Sequence, residues 1–421
     1  MTGDRLAAGV RRVAVVDGCR TPFCKAGTVF NDVPAVDLAR HAAIELIERS
    51  GLTGREVDLV VMGQVVASPL APNLAREVSL VPQLPRTVPA FTVNEACASA
   101  SQAITDAADR IAAGLADVAI AGGAESLSNV PILHGKRMRD TLTALARARG
   151  VGARLRLVAG LRPRDFVPVA PAIAEPSTGL TMGQSAEKMA QENAIPREAQ
   201  DAWALGSHQR AHAGHADGRL AAEIAPFPLG DSMIAADNGI RADASLEQLA
   251  ALRPAFDRRY GTVTAGNASP LTDGASAVLL MAEETARALG YTPLAFVRAH
   301  ALAAVDPGGQ LLMGPVDAVP RALARAGIAW ADLDLVEMHE AFAAQVLSNI
   351  QGFERRHGWE VDPDRLNVMG GSIALGHPFG ATGGRLVTTL AREMARRGAR
   401  FGLVSVCAQG GLGSAIVLEG V

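Results

Sequence analysis

At 421 residues, 49% hydrophobic and 20% charged, with 43 acidic against 40 basic side chains and a net charge of −3, the chain has material for two or three domains and a large core. That balance excludes a disordered polyelectrolyte and argues against bulk binding of nucleic acid. Every apolar run is interrupted by Gly, Asp, Arg or Pro before the roughly 18 to 20 residues a bilayer span requires. The opening segment carries Asp4, Arg11 and Arg12 ahead of a strand-like run at 13–16, with no small-residue cleavage site, so no signal peptide is expected. Four cysteines are too few for a disulfide scaffold and read as reduced thiols.

In chain order the next elements are an amphipathic helix over 36–49 and an apolar strand over 59–62. A small-residue helix over 98–113 and a strand over 118–121 follow. Residues 129–254 differ in texture, with Pro163, Pro168, Pro171, Pro176, Pro226 and Pro228 separating short helical stretches. Within them, 134–164 holds Lys136, Arg137, Arg139, Arg147, Arg149, Arg154, Arg156, Arg162 and Arg164 against Asp140 alone. That stretch reads either as a solvated helical face or as a surface for anionic lipid, a partner subunit or a polyphosphorylated substrate. Strands are expected at 261–264 and 277–281, then a helix over 318–326, a strand over 335–338, a helix over 382–396 and a strand over 401–406.

A duplication organises these elements. Residues 51–63 (GLTGREVDLVVMG) and 327–339 (GIAWADLDLVEMH) align without gaps, each reading as helix end, turn and buried strand. After each copy come a small-residue loop, a helix and another strand. The pattern predicts an α/β protein of two similar halves: 1–128 completed by 255–284, and 285–421, with 129–254 as an inserted loop domain.

Several residues could carry chemistry. Cys97 sits where an extended segment meets the first turn of a helix, whose unpaired N–H groups stabilise a thiolate, so it is either an activated nucleophile or a small buried hydrophobe. Cys407 ends a strand and opens a glycine turn, Gln409-Gly410-Gly411. His377 lies in Gly376-His377-Pro378, the counterpart of the Cys97 loop, and His339 replaces Gly63 of the first copy. Glu340 beside it could cap the helix that follows. His208, His212 and His215 could face a metal on one helix, but no acidic or cysteine cluster accompanies them, and they read as exposed helix residues. Cys19 and Cys24 lack metal or redox spacing and read as structural. No metal site is expected.

Taken together, Arg20-Thr21-Pro22-Phe23, the Cys97 loop, Gly122-Gly123-Ala124-Glu125-Ser126, Met182-Gly183, Gly266-Asn267-Ala268-Ser269, His339-Glu340-Ala341-Phe342, Gly376-His377-Pro378 and the Cys407 turn occur in thiolase order. The chain therefore resembles thiolases over essentially its whole length. Most thiolases have Asn-Glu-Ala-Phe where His339 begins the motif here. That histidine, the Gly-His-Pro-Phe loop and the basic insert resemble the thiolase subunit of fatty-acid oxidation multienzyme complexes.

The resemblance implies two βαβαβαββ halves stacked as a five-layered αβαβα core, and cleavage of 3-ketoacyl-CoA by CoA into acetyl-CoA and a shortened acyl-CoA. It implies Cys97 as nucleophile, His377 as base and oxyanion donor, Cys407 as acid and base, and His339 beside His377 at the enolate oxygen. Backbone N–H groups of Cys97 and Gln409 would hold the tetrahedral adduct, Ser269 would touch the pantetheine arm, and Met182 would line the acyl pocket. Coenzyme A enters as substrate, with no tightly bound cofactor. A homodimer or tetramer, a hydratase/dehydrogenase partner, membrane contact through 134–164 and a cytoplasmic location follow as expectations. The alternatives are acetyl-CoA condensation in reverse, a decarboxylating ketoacyl synthase, which Cys407 argues against, and a catalytically dead scaffold.

Overall fold

A computed structural model describes residues 10–168 and 174–421, so Asp4 and Pro171 lie outside the described residues. The first half runs β1 (Val13–Arg20), β2 (Cys24–Lys25), α1 (Ala35–Ser50), β3 (Leu59–Gly63), α2 (Leu74–Val78), β4 (Ala90–Val93), α3 (Ser99–Ala112) and β5 (Val118–Glu125). Next come α4 (Lys136–Arg147), α5 (Val151–Ala159), α6 (Met182–Glu192), α7 (Arg197–Ala216), α8 (Arg219–Glu223), the hairpin β6 (Phe227–Leu229) and β7 (Ser232–Ile234), and α9 (Leu246–Ala250). After β8 (Thr272–Ala282) and α10 (Glu283–Ala288), the second half is β9 (Ala295–Ala304), α11 (Gly314–Ala326), β10 (Leu335–Met338), α12 (Ala343–His357), α13 (Ser372–Leu375), α14 (Thr382–Arg397), β11 (Phe401–Ala408) and β12 (Leu412–Glu419).

The strands lie in the order β10-β11-β12-β9-β1-β8-β5-β3-β4. Strand side chains alternate between faces, and the alternation builds five layers. On β1, Ala14 and Val16 pack with α1 and α2 on one outer side, whereas Val13 and Val15 face α3 and α14. On β11, Leu403 faces α11 and α12 on the other outer side, and Val404 and Val406 face α3 and α14. The two central helices are thus covered by sheet on both sides. The half-sheets are also joined along one edge, where Val13–Val15 of β1 pair with Val297–Ala295 of β9. Among the described residues, no helix is long and apolar enough to cross a membrane.

The duplication extends to single hydrogen bonds. Asp58 Oδ2 accepts from the N–H groups of Asp117 and Val118, and Asp334 Oδ2 accepts from those of Arg400 and Phe401. Each acidic side chain therefore ties its turn to the start of the neighbouring strand. The preceding helices both end on glycine in the left-handed region, Gly51 at φ 67° and Gly327 at φ 71°.

Two expectations change. Residues 261–264 form no strand and make only a bridge between Thr264 and Pro254. Side chains have taken their donors: Glu187 accepts from the N–H groups of Thr262 and Val263, and Asn267 Oδ1 from that of Thr264. The second half also has a single bridge, Val336 with Leu366, where the first half has β4. There Asn367, itself at φ 50°, receives the Met338 N–H and donates to the Met338 carbonyl, replacing a ladder by one side chain.

Candidate active site

Cys97 occupies the turn between β4 and α3, just outside the helix. The turn is clamped by Ser99, whose hydroxyl accepts from the Glu95 N–H and donates to the Ala96 carbonyl. Ala96 is held at φ 48°, a left-handed conformation that costs a non-glycine residue energy and often marks a functional turn. Close approach lets this helix reach the site. A Cβ on Gly63 would lie 2.5 Å from the Ser99 carbonyl carbon, so the glycine of the first repeat admits α3 where the second repeat carries His339.

His377 is fixed by its backbone, whose N–H donates to Thr272 Oγ1 at the start of β8. The following Gly380 donates to Glu125, a buried carboxylate that also accepts from the N–H groups of Val65 and Val66. Burial pushes that carboxyl up to about 7, against the pull of those three donors. Cys407 lies near the end of β11, opposite Gly413 of β12. Gln409 begins the turn beyond it and donates through its side chain to the Ala174 carbonyl.

These residues meet around a cavity of about 90 Å³ walled by Cys97, Met182, Ser269, His377, Cys407 and Gln409, with Val65, Leu271, Leu312, Phe342 and Phe379 among its apolar lining. His339 is fully buried beside it, its ring centroid 4.1 Å from that of His377. A ligand atom from each of Cys97, His339 and His377 lies within 4.8 Å of the other two. The same spacing lets all three reach one small group bound in the cavity. Among the described residues, the Nε2 atoms of both histidines are buried without a partner, which calls for an explanation. Larger clefts of about 440 and 700 Å³ elsewhere contain no cysteine.

The electrostatics differ from the helix-terminus expectation. Burial pushes the Cys97 thiol up to about 12 although the residue keeps some exposure to the cavity; N–H groups of Gln409 and of Cys97 itself pull the other way. Burial, assisted by the Arg385 charge, brings the His377 imidazole down to about 3. His339 is lowered well below its ordinary value by burial, then by His377 and Arg385. Cys407 is raised by burial and by the nearby Cys97. The resting pair is thus a neutral thiol and a neutral imidazole.

The chain matches the models for the thiolase N-terminal domain over residues 13–284 and the thiolase C-terminal domain over residues 291–420. This chain belongs to the thiolase family. It is 48% identical to proteins named 3-ketoacyl-CoA thiolase from Pseudoalteromonas translucida and Pectobacterium atrosepticum, over 97% of this chain and 97% and 96% of theirs. Human mitochondrial 3-ketoacyl-CoA thiolase superposes with a TM-score of 0.86 at 34% identity, covering 98% of this chain and 99% of that one. An acetyl-CoA acetyltransferase from Bacillus anthracis superposes with a TM-score of 0.85 at 32% identity, covering 98% of this chain and 100% of that one.

Around this thiolase site stand residues that the sequence reading did not assign. Glu340 caps no helix; its carboxylate accepts from Trp203, Ser207, Asn367 and the Ile373 N–H. Thr382, Ser372 and Arg385 back the two histidines, and nothing in their spacing marks them. The decoys also resolve. His212 and His215 are exposed, but His208 is buried, accepts from the Arg241 N–H, and is lowered to about 4 by burial. Cys19 and Cys24 are buried free thiols, both raised to about 12 by burial.

Proposed function

We propose that this protein catalyses CoA-dependent cleavage of 3-ketoacyl-CoA to acetyl-CoA and an acyl-CoA two carbons shorter, through an acyl-enzyme on Cys97. The observation that carries the reading is the convergence of Cys97, His377 and Cys407 on one small cavity beside two imidazole nitrogens that have no partner among the described residues. The names of the relatives and the human structure described as a complex with CoA support CoA thioesters as substrates.

In this mechanism the Cys97 sulfur attacks the 3-keto carbon as His377 Nε2 takes its proton. The tetrahedral oxyanion is held by the N–H groups of Cys97 and Gln409, already directed at the Cys97 sulfur. The bond between C2 and C3 then breaks. The acyl group stays on Cys97, and the electron pair passes into the enolate of acetyl-CoA, whose oxygen is held by His377 and His339. Cys407 protonates the enolate carbon, and its thiolate then takes the proton of incoming CoA. The CoA sulfur attacks the acyl-Cys97 thioester, and Cys97 leaves with the proton returned by His377. Ser269, tied to the Ala341 carbonyl, contacts the pantetheine arm, and Met182 bounds the acyl chain.

The division into 1–128 with 255–284, 129–254 and 285–421 accompanies this reading. So do a homodimer or tetramer, a cytoplasmic setting suited to four unpaired thiols, and a docking role for the α4–α5 hairpin. That hairpin presents Arg147, Arg149, Arg154 and Arg156 with exposed Val151, Leu155 and Val158, to a hydratase/dehydrogenase subunit or an anionic membrane. The test of the reaction is CoA-dependent loss of enolate absorbance with 3-ketoacyl-CoA substrates of four to sixteen carbons. Turnover that rises with chain length is expected. Activity confined to acetoacetyl-CoA would instead favour the condensing direction.

A further inference from the structure

We propose that Ser372, held from behind by Arg385, is a positioning residue that donates its hydroxyl proton to Nδ1 of His339 and so fixes that ring as the neutral tautomer with hydrogen on Nε2. The inference rests on the thiolase reading for its kinetic consequence, though not for its structural content.

Arg385 donates to Ser372 Oγ at 3.2 Å, and a guanidinium can only donate. That fills one of the two lone pairs on the oxygen, and among the described residues the serine proton has no acceptor within reach but His339 Nδ1, at 2.9 Å. Nδ1 then accepts, and the hydrogen of the neutral ring is on Nε2. The neighbouring ring has the opposite arrangement. Thr382 Oγ1 donates to the Pro378 carbonyl at 3.0 Å, and a carbonyl can only accept. Thr382 must then accept from His377 Nδ1 at 2.7 Å, which leaves a lone pair on His377 Nε2.

Two imidazoles in contact are thus made chemically unlike by the hydroxyl behind each. One presents a base to the Cys97 proton, the other a donor to an oxyanion. Arg385 serves the arrangement twice, since its positive charge also opposes a second proton on either ring. The guanidinium is itself held by Glu337 Oε2 at 3.1 Å.

The wild-type enzyme gives the first readout, by NMR of protein labelled with nitrogen-15 in histidine. Of these two rings, the His339 Nε2 signal is expected to be pyrrole-type and the His377 Nε2 signal pyridine-type. A pyridine-type Nε2 on His339 would overturn the proposal whether or not the protein turns over any 3-ketoacyl-CoA. Kinetics give the second. Ser372→Ala should lower kcat for thiolysis by about ten- to a hundred-fold with KM changed less than about twofold. Alkylation of Cys97 by iodoacetamide, which draws on His377 alone, should keep its rate. An unchanged kcat, or an alkylation rate that falls in step with kcat, would count against Ser372 acting through His339. Absence of thiolysis by the wild type on every chain length would instead defeat the proposed function and leave the tautomer readout standing.

Discussion

The thiol of Cys97 lies close enough to a helix start to suggest electrostatic activation, yet desolvation outweighs the local N–H groups and leaves it protonated. This fixes a pH dependence. Between the lowered value of His377, about 3, and the raised value of Cys97, about 12, neither group changes its protonation state. The alkylation rate of the free enzyme should therefore stay level from pH 6 to 9, because proton transfer within the pair needs no exchange with solvent. In His377→Ala the thiol must ionise into solvent. Its rate should then climb about tenfold per pH unit over the same range, since thiolate grows in that proportion below the thiol pKa. A wild-type rate that rises and levels near pH 8.5 would mark an ordinary free thiol. At this scale the motifs exposed Cys97, His339, His377 and Cys407, because loops rich in Gly and Pro advertise themselves. Thr382, Ser372 and Arg385 were not legible, since their meaning depends on which hydroxyl faces which ring.

Helices and strands were legible wherever apolar periodicity was strong. The helix expected over 36–49 is α1 at Ala35–Ser50, and that over 382–396 is α14 at Thr382–Arg397. Failures came where side chains replaced ladder partners, as Glu187 and Asn267 do for residues 262–264. The two copies of the repeat differ at Gly63 and His339 for a packing reason. A side chain at 63 would strike the backbone of α3 at Ser99 and Ala100, at 2.5 and 2.6 Å. Gly63→Ala should therefore destabilise the fold by about 1–3 kcal/mol, read as a lower denaturant midpoint with an unchanged slope. It should also lower the rate of Cys97 alkylation, because the displaced helix carries that turn. Stability equal to wild type would show that α3 can shift freely.

At the scale of the whole molecule, α3 and α14 are buried between the two halves, where Ile104, Ala107, Leu386 and Leu390 share one core with strands of both. The α4–α5 hairpin lies outside those layers. Replacing Arg147, Arg149, Arg154 and Arg156 by glutamine should abolish salt-sensitive association with anionic vesicles or with a hydratase/dehydrogenase subunit, measured by co-sedimentation, while thiolysis of soluble substrate persists. Association that survives the neutralisation would remove the docking role.

The sequence by itself determined the duplicated α/β plan, the family and the four groups with reactive potential, because periodicity, glycine turns and ordered motifs are local properties of a chain. Only the tertiary structure decided that the half-sheets join along β1 and β9, that burial keeps Cys97 and His377 neutral, and that Ser372 and Thr382 stand behind different histidines. Desolvation and hydrogen-bond direction depend on atoms brought together from distant parts of the chain, such as His339 and Ser372, 33 residues apart. Spacing along the sequence does not encode them.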